Sequence, residues 1–456
     1  MFAHPPLSLE FGTDGIRGRC GVFPVTSPAF RRIAFSYASI MSRMHPSSTP
    51  IVLVGRDTRA SSLSLSEAVM SGLVLAGVDV WDVGVASTPI ISSIVHKNDI
   101  LGGIVVSASH NQYHDNGLKF FSGAGLKVSS NVEVEIINLF YKVDEYQSSS
   151  GRIYHRPELL NEYLSSCYNY FSRYYSPLPF KIAIDCSHGA LYRIAPSLFR
   201  SLGFDVLPLC CQPNGYNINN LCGSTSPDFL VDVVKSGSAD IGLCFDGDGD
   251  RVLVVMPDGS VCDGSTILYL FSKRWLIDTP LSGVVGTVMT NSALEDFFKM
   301  EGIPFYRSLV GDKNIVQKMA TENASLGGEP SGHLIVNRDG WFCSDAMFNI
   351  IELLFAFPIL DDVYSAFLDF SPYPQRLLNL RVKKHYNWEK DFTLQSFLSS
   401  CRVTEGDSFR VLIRLSGTEP VLRIMLESRS EEFVSEAALH VSHIVNHAQG
   451  FVDAVV

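Results

Sequence analysis

The chain has 456 residues, of which 46% are apolar and 18% charged, and its formal net charge at pH 7 is −11. Such a composition is typical of a globular protein of roughly two to four domains, and the acidic balance excludes sequence-independent binding of nucleic acid. The longest apolar run, residues 347–360, is too short to span a bilayer and predicts a buried helix and no membrane partner.

Ten cysteines are distributed along the chain, and none belongs to a CxxC pair. Most lie in apolar surroundings, which favours reduced, buried thiols over a disulfide framework and gives no support for a zinc site. The first residues, MFAHPPLSLEFG, have neither the basic nor the apolar region of a signal peptide. We therefore expect a cytoplasmic protein.

Three short β-branched runs recur along the chain, at Ile51–Gly55, Lys181–Asp185 and Gly283–Met289, and each is followed by a helix-length segment. Strands that alternate with helices predict α/β units with mixed, mainly parallel sheets. Three copies predict three similar domains rather than one large sheet. The tail differs, because residues 409–428 have the pattern of two strands joined by a turn-rich loop, which predicts a smaller C-terminal α+β domain.

The predicted domain boundaries follow these repeats and a proline-containing junction at Ser371–Gln375. The four predicted domains span residues 1–150, 151–257, 258–370 and 371–456. In open α/β sheets, ligands bind beyond the carboxyl ends of the strands, and each α/β unit has one unusual loop at such a position. We therefore expect these loops to face a shared central cleft.

The glycine-rich stretch FGTDGIRG, at Phe11–Gly18, permits a tight backbone, and Arg17 supplies a positive charge. Taken alone, the stretch is more typical of an ordinary glycine-rich turn. It does not match GxGxxG, so dinucleotide binding has no support.

The stretch SASHN follows the apolar run Gly103–Val106 and places Ser109 next to His110. A Ser–His hydrolase is one interpretation. However, adjacent residues rarely place an imidazole to deprotonate the neighbouring hydroxyl, and the chain has no GxSxG elbow. The acidic and anion-binding motifs further along the chain favour phosphoryl chemistry at this serine instead.

The stretch DGDGDR joins two apolar runs and carries Asp246, Asp248 and Asp250 at alternate positions. Three carboxylates with this spacing are able to converge on one hard cation, whereas a solvated turn rarely joins two buried strands. An EF-hand is excluded, because Arg251 and Pro257 replace its required Gly and Glu. The motif predicts a divalent site, with Mg²⁺ completed by a phosphate.

The stretch GGEPSGH alternates Glu329, Ser331 and His333 with small residues, so that the three side chains are able to point into one pocket. Such groups hydrogen-bond sugar hydroxyls. Taken alone, the motif is more typical of a surface loop.

The stretch RLSGTEP, at Arg414–Pro420, combines a guanidinium, two hydroxyls and a turn backbone, which together form a cradle for phosphate or carboxylate. An SGT turn alone is more often structural, but Arg414 and Arg423 on the two flanking predicted strands give the anion-binding interpretation equal support.

In this order, the five motifs resemble those of the α-D-phosphohexomutases, from Phe11 to about Glu427. Further stretches are similar to the bacterial phosphoglucosamine mutases within that family; they are PNGYNINNLCGSTSP, GVVGTVMTN and YPQRLLNL. Two positions depart from the pattern of that subfamily. Pro330 replaces its usual Gln, and Leu415 replaces its frequent Lys.

The resemblance implies four domains around a central cleft and a phosphoserine at Ser109. Phosphate would move between O6 and O1 of a hexose through a 1,6-bisphosphate, which also acts as an activator, with Mg²⁺ as the metal. The implied metal ligands are Ser109, Asp246, Asp248 and Asp250. The implied catalytic residues, which the sequence does not rank, are Ser109, His110, Lys119, Arg17 and His333. The implied substrate-binding residues are Arg251, Glu329, Ser331, Arg414, Ser416, Gly417, Thr418 and Arg423.

The main hypothesis is interconversion of glucosamine 6-phosphate and glucosamine 1-phosphate for amino-sugar nucleotide and cell-wall precursor synthesis. Phosphomannomutase or phosphoglucomutase activity is the alternative within the family. A non-catalytic sugar-phosphate sensor is a second alternative, although Ser109, the three aspartates and the anion loop argue against it. A metal-dependent phosphatase is a third alternative, and it would need an aspartate nucleophile. Asp246 and Asp248 do form a DxD pair, but this pair lies inside a longer acidic run. The expected partner is a small sugar phosphate, and the expected state is a monomer or homodimer.

Overall fold

The computed structural model describes residues 8–142, 151–173, 180–278, 280–383, 386–415 and 420–449. They form two compact units. The first comprises Met1–Val288 and Ile303–Asp369, and the second comprises Met289–Gly302 and Phe370–Val456. Among the described residues, the first unit contains three mixed β-sheets and the second contains one antiparallel sheet.

The first sheet has six strands in the spatial order β1–β5–β4–β2–β3–β6. The strands are β1 (Ile16–Arg19), β2 (Thr49–Arg56), β3 (Asp79–Val85), β4 (Ile100–Val106), β5 (Asp115–Ser122) and β6 (Ile153–His155). The helices are α1 (Ser27–Met44), α2 (Ser62–Leu75), α3 (Thr88–Lys97), α4 (Ser130–Lys142) and α5 (Glu158–Ser172). Strands β2, β3 and β4 are parallel, whereas β5 is antiparallel to β4 and β1. Apolar residues of α1, α2 and α4 pack on this sheet and form its core.

The second sheet has five strands in the order β11–β10–β9–β7–β8. The strands are β7 (Lys181–Asp185), β8 (Asp205–Leu209), β9 (Ile241–Phe245), β10 (Val252–Val255) and β11 (Val261–Cys262), and the helices are α6 (Ile194–Ser201) and α7 (Asp228–Lys235). Strand β7 is parallel to β8 and β9, and β10 is antiparallel to β9 and β11.

The third sheet follows the order β13–β12–β14–β15–β16. Its strands are β12 (Val284–Thr287), β13 (Phe305–Ser308), β14 (Leu326–Gly328), β15 (Leu334–Arg338) and β16 (Trp341–Cys343). The accompanying helices are α8 (Gly264–Asp278), α10 (Asp312–Glu322), α11 (Ala346–Ala356) and α12 (Leu360–Leu368). The helix predicted over residues 347–360 therefore ends earlier, at Ala356. Pro358 lies in the break, because its ring cannot continue a helix.

The second unit contains α9 (Ser292–Met300) and the sheet β17–β19–β18. The remaining elements are β17 (Gln375–Arg381), α13 (Phe392–Glu405), β18 (Arg410–Leu415), β19 (Val421–Glu427) and α14 (Glu431–Gln449). Helix α9 is tied to this sheet, since the Ser292 backbone N–H donates to both carboxylate oxygens of Glu427 at 3.3 Å. The structure thus confirms three similar α/β sheets followed by a smaller antiparallel α+β unit.

The three sheets of the first unit share one topological feature. In each, a parallel strand leads through a short loop into an antiparallel neighbour: β4 into β5, β9 into β10, and β14 into β15. These loops carry SASHN, DGDGDR and GGEPSGH, respectively, so each motif follows the carboxyl end of a parallel strand. No helix in the described part of the chain is both long and apolar enough to cross a membrane.

Candidate active site

Ser109 lies just beyond the carboxyl end of β4 and is fully buried. Its φ of 51° is in the left-handed region, which a serine rarely adopts. The Ser109 Oγ donates a hydrogen bond to Asp246 Oδ2 at 2.6 Å. The Nδ1 atom of His110 lies 3.4 Å from Ser109 Oγ. The serine of the first sheet and the acidic loop of the second sheet are therefore in direct contact.

The backbone of the Ser109 loop is held by buried donors that the sequence analysis did not single out. The Arg59 guanidinium donates to the carbonyls of Ser109 and Asn111 at 2.9 and 2.8 Å. The Asn219 amide donates to the same two carbonyls at 2.8 and 3.0 Å. Arg59 is itself fixed by Asp57, whose Oδ2 accepts its Nε–H at 2.7 Å. These contacts hold the unusual backbone while Oγ faces the acidic loop.

The three aspartates of DGDGDR converge, with one oxygen of each within 4.8 Å of the others. All three side chains are buried. Gly247 allows the loop to pack on Ser109, since a Cβ at this position would lie 2.7 Å from the Ser109 carbonyl oxygen. Burial, followed by the charges of Asp250 and Asp248, raises the pKa of Asp246 to about 8.

Lys119 is the main counter-charge of this cluster. It is 1% exposed, and its Nζ lies 2.6 Å from both Asp248 Oδ2 and Asp250 Oδ2 and 3.0 Å from Asp14 Oδ2. Burial lowers the pKa of Lys119, but the three carboxylates outweigh burial and hold that pKa well above its usual value. Burial also opposes ionisation of Asp14, yet Lys119, Lys127 and Arg17 hold its pKa well below the usual range.

His333 joins the acidic loop to the loop of the third sheet. Its Nε2 lies 3.1 Å from Asp250 Oδ1, and its Nδ1 lies 2.7 Å from Glu329 Oε1. Burial alone would lower the pKa of His333, but Asp250 and its other partners raise it to about 10. Burial raises the pKa of Glu329, whereas His333 and Ser331 outweigh burial and lower it to about 2. The Ser331 hydroxyl donates to Glu329 Oε1 at 2.7 Å.

Two arginines complete the charged surroundings. The Nε atoms of Arg17 and Arg251 are buried and have no hydrogen-bond partner among the described residues. The pKa of His110 is lowered to about 4 by burial, then by Arg251 and Arg17, so the ring is neutral at pH 7. Buried Nε–H donors of this kind suit a ligand that carries anionic oxygens.

The acidic cluster fits a hard divalent cation. Within the described part of the chain, Asp248 Oδ1 is buried and accepts no hydrogen bond, and Asp250 Oδ1 is buried with His333 Nε2 at 3.1 Å. Carboxylate and hydroxyl oxygens are the ligands that Mg²⁺ prefers in proteins. Asp246, Asp248, Asp250 and Ser109 Oγ therefore form a donor set of the right chemistry.

In the second unit, Arg414 and Arg423 face each other directly across the antiparallel pair β18–β19. Arg414 is exposed and Arg423 is half-buried. The other predicted members of the phosphate loop, Ser416, Gly417 and Thr418, lie outside the described residues.

Comparisons with known proteins agree with this geometry. Four phosphoglucomutase/phosphomannomutase profiles match the chain in order: α/β/α domain I at residues 8–147, domain II at 161–259, domain III at 263–357 and the C-terminal domain at 377–442. The chain belongs to this family, the α-D-phosphohexomutases. It is therefore an isomerase that moves phosphate within its substrate.

Curated relatives of this phosphohexomutase include the phosphoglucosamine mutase of Herminiimonas arsenicoxydans, 36% identical over 439 residues that cover 95% of this chain and 98% of the relative. The phosphoglucosamine mutase of Burkholderia lata is 36% identical over 452 residues, covering 98% of each chain. Among solved structures, a phosphoglucomutase/phosphomannomutase family protein of Burkholderia thailandensis has a TM-score of 0.80 at 22% identity, covering 97% of this chain and 98% of that one.

A more distant structural neighbour is the Aspergillus fumigatus N-acetylphosphoglucosamine mutase, solved with GlcNAc-6P and magnesium. It has a TM-score of 0.63 at 16% identity and covers 98% of this chain and 97% of its own. At this identity, the likeness shows a common fold.

The structure brings together all the predicted site residues of the first three sheets, from Arg17 through Ser109 and the aspartates to His333. It also adds Asp14, Asp57, Arg59, Lys127 and Asn219, which sequence reasoning missed. Asp57 and Arg59 had a detectable signal, since the charged stretch RDTR directly follows the buried strand β2. Asn219 lies in the stretch PNGYNINNLCGSTSP, but this stretch did not predict its contacts, because its partners lie 108 and 110 residues away in sequence.

Proposed function

We propose that this phosphohexomutase interconverts glucosamine 6-phosphate and glucosamine 1-phosphate through a phosphoserine at Ser109. The observation that carries the proposal is the contact between Ser109 Oγ and Asp246, inside a buried cluster of acids and cations. The choice of glucosamine is supported by relatives named phosphoglucosamine mutase that are aligned over nearly the whole chain.

The proposed reaction consists of two phosphoryl transfers. In the first, the free hydroxyl oxygen of the substrate forms a bond to phosphorus while the bond from phosphorus to Ser109 Oγ breaks. The substrate hydroxyl loses its proton, Ser109 Oγ gains one, and the product is a 1,6-bisphosphate. After the sugar turns over, the second transfer returns its other phosphate to Ser109, which leaves the isomerised monophosphate.

The predicted catalytic residues have contacts that support different roles. His110 Nδ1 lies 3.4 Å from Ser109 Oγ and is suited to exchange a proton with that oxygen. Lys119 and His333 contact the carboxylates and hold them in place. Arg17 and Arg251 have buried donors available for the oxygens of the transferring phosphate. Mg²⁺ bound by Ser109 and the three aspartates would offset negative charge as the P–O bonds loosen.

Two further groups are proposed to hold the substrate. Glu329 and Ser331 would hydrogen-bond the ring hydroxyls. Arg414 and Arg423 would bind the phosphate that is not transferred, since like charges directly opposite on paired strands are destabilising unless an anion lies between them. Ser416, Gly417 and Thr418 remain proposed members of that phosphate loop.

A sugar 1,6-bisphosphate is the proposed activator, because it phosphorylates an unmodified Ser109 and leaves a monophosphate product. Intact-protein mass spectrometry before and after incubation with the bisphosphate tests this step. A gain of one phosphoryl group in the wild type and none in Ser109→Ala is expected. Equal labelling of both proteins would contradict a phosphoserine at this position.

Sugar preference is tested by a coupled assay of glucosamine, glucose and mannose 6-phosphates with the phosphorylated enzyme. We expect the largest kcat/KM with glucosamine 6-phosphate. A larger value for glucose or mannose would favour the alternative specificities. Release of inorganic phosphate in place of sugar 1-phosphate would indicate a phosphatase, and phosphate binding without turnover of any sugar would indicate a sensor.

A further inference from the structure

A second cluster of metal-ligating side chains lies at the carboxyl ends of β7 and β8, outside the acidic site. A ring nitrogen of His188 and the Sγ atoms of Cys210 and Cys222 all lie within 4.8 Å of one another. His188 and Cys210 are half-buried, and Cys222 is buried. The phosphoryl transfer proposed above uses none of the three.

The backbone that carries these side chains is held in a defined arrangement. The His188 N–H donates to the Cys210 carbonyl at 2.6 Å, which brings the two loops together. Both residues adopt left-handed φ angles, 52° and 47°. The buried Asp185 carboxylate accepts the N–H groups of Ser187 at 2.7 Å and of Gly223 at 2.9 Å, so it fixes the neighbours of His188 and Cys222.

The ligand chemistry differs from that of the acidic cluster. Two thiols and an imidazole suit soft or borderline d¹⁰ cations such as Zn²⁺, whereas Mg²⁺ prefers oxygen. A tetrahedral ion with Zn–S of about 2.3 Å and Zn–N of about 2.0 Å needs ligand atoms roughly 3.5–3.8 Å apart. Small side-chain rotations bring atoms that lie within 4.8 Å of one another to this spacing.

We propose that His188, Cys210 and Cys222 form a binding site for a thiophilic d¹⁰ cation of the Zn²⁺ class, separate from the Mg²⁺-type site. The partial exposure of His188 and Cys210 gives the ion a route from solvent and leaves a fourth position for water. Spacing did not predict this site, since 22 residues separate His188 from Cys210 and 12 separate Cys210 from Cys222.

The site is linked to the loop of the proposed nucleophile. The Ser187 carbonyl, next to His188, accepts the Asn219 N–H at 3.0 Å, and the Asn219 side chain donates to the Ser109 carbonyl at 2.8 Å. Bound metal is therefore expected to stabilise the segment that supports Ser109. This adds thermal stability to the folded state, because the unfolded chain does not present the three ligands together.

The test is a Zn²⁺ titration of reduced, metal-free protein in excess Mg²⁺, in competition with a chromophoric chelator. We expect one tightly bound Zn²⁺ per chain and a higher melting temperature on binding. Co²⁺ in place of Zn²⁺ should give the charge-transfer absorption of thiolate ligands. Excess Mg²⁺ keeps the acidic cluster occupied, so the outcome does not depend on the proposed mutase activity.

Cys210→Ser and Cys222→Ser should each weaken Zn²⁺ binding by more than the ~10–100-fold typical of losing an outer-shell partner. Cys211→Ser is the matched control and should bind normally, because its thiol instead donates to the Leu209 carbonyl at 3.1 Å. If a serine variant does not fold, the wild type is used instead. The measurement is then whether Zn²⁺ protects Cys210 and Cys222 from alkylation. Unchanged affinity in both variants, or equal alkylation with and without Zn²⁺, would overturn the proposal. A Cys210–Cys222 disulfide formed by mild oxidation, without Zn²⁺ binding to the reduced protein, would also overturn it.

Discussion

The Ser109 loop and the DGDGDR loop occupy equivalent places in two similar sheets, yet the second also needs counter-charges for its side chains. The first is held through its backbone, because Arg59 and Asn219 bind its carbonyls and leave the serine hydroxyl facing the acidic loop. The second is also held through its backbone, because the N–H groups of Ala190 and Thr88 donate to the carbonyls of Gly247 and Asp248 at 2.8 and 2.9 Å. In addition, Lys119 and His333 contact its carboxylates. Both loops are therefore fixed by main-chain hydrogen bonds, and the loop with three buried carboxylates also needs counter-charges, because buried like charges repel one another.

The largest expected effect comes from removing the reactive group itself. Ser109→Ala should lower mutase turnover by about 10⁶-fold, the order of magnitude seen when a nucleophile is removed. The melting temperature should change little, because the Ser109 backbone keeps its hydrogen bonds from Arg59 and Asn219. Both quantities are measured on protein treated with the bisphosphate. Substantial turnover by the purified variant would remove Ser109 from the covalent role.

The acidic loop should respond through its metal. Asp248→Ala removes one oxygen ligand and should lower kcat about 100-fold, the cost of losing one group that stabilises transition-state charge. It should also shift the Mg²⁺ activation curve to higher concentration. Glu67→Ala, at an exposed position on α2, is the control. A variant curve that overlays that of the wild type would show that this loop does not bind the metal.

The backbone support of the serine loop is tested by Arg59→Lys. Lysine keeps the charge but not the fork of donors that reaches several carbonyls. We expect kcat to fall by about 10- to 100-fold with little change in KM, because a small displacement of Ser109 Oγ from its reactive position slows the chemical step. The rate at which Ser109 takes up phosphate from the bisphosphate should fall in parallel. A rise in KM alone would mean that Arg59 acts on substrate binding.

The arginine pair of the second unit should affect binding more than chemistry. Arg414→Ala should raise KM more than it lowers kcat, because a phosphate that is not transferred is held equally before and during reaction. Removing a charge-assisted hydrogen bond worth about 1.5–3 kcal/mol should lower kcat/KM by roughly 10- to 100-fold. An unchanged KM with a lower melting temperature would instead indicate a structural role for Arg414.

The smallest effect concerns acid stability. Glu329 has a folded-state pKa of about 2, below its ordinary value of 4.5. Its contribution to the free energy of unfolding is therefore fully present above pH 4.5 and is lost as pH falls from 4.5 towards 2. Melting temperatures of the wild type and Glu329→Gln should converge over this interval. A constant difference between them down to pH 3 would contradict the lowered pKa.

The sequence by itself determined the α/β repeats, the end of each motif-bearing strand and the chemistry of the site. Apolar runs with β-branched residues specify buried strands locally. Alternating aspartates indicate a cation site, and a serine that directly follows such a strand indicates a site of phosphoryl chemistry, in any α/β fold that carries them. The helix predicted across Pro358 was too long, although a local rule against proline inside helices was available to shorten it.

Only the tertiary structure decided which distant groups meet. Lys119, within β5, contacts Asp248 and Asp250 of the second sheet's loop, and Asn219 contacts the Ser109 carbonyl, because the fold brings segments that are far apart in sequence together. The direction of each pKa shift depends on the same placement, since burial and nearby charge act through space rather than along the chain. The grouping of His188 with Cys210 has the same origin, because the parallel strands β7 and β8 end side by side, and the segment after β8 brings Cys222 to the same place.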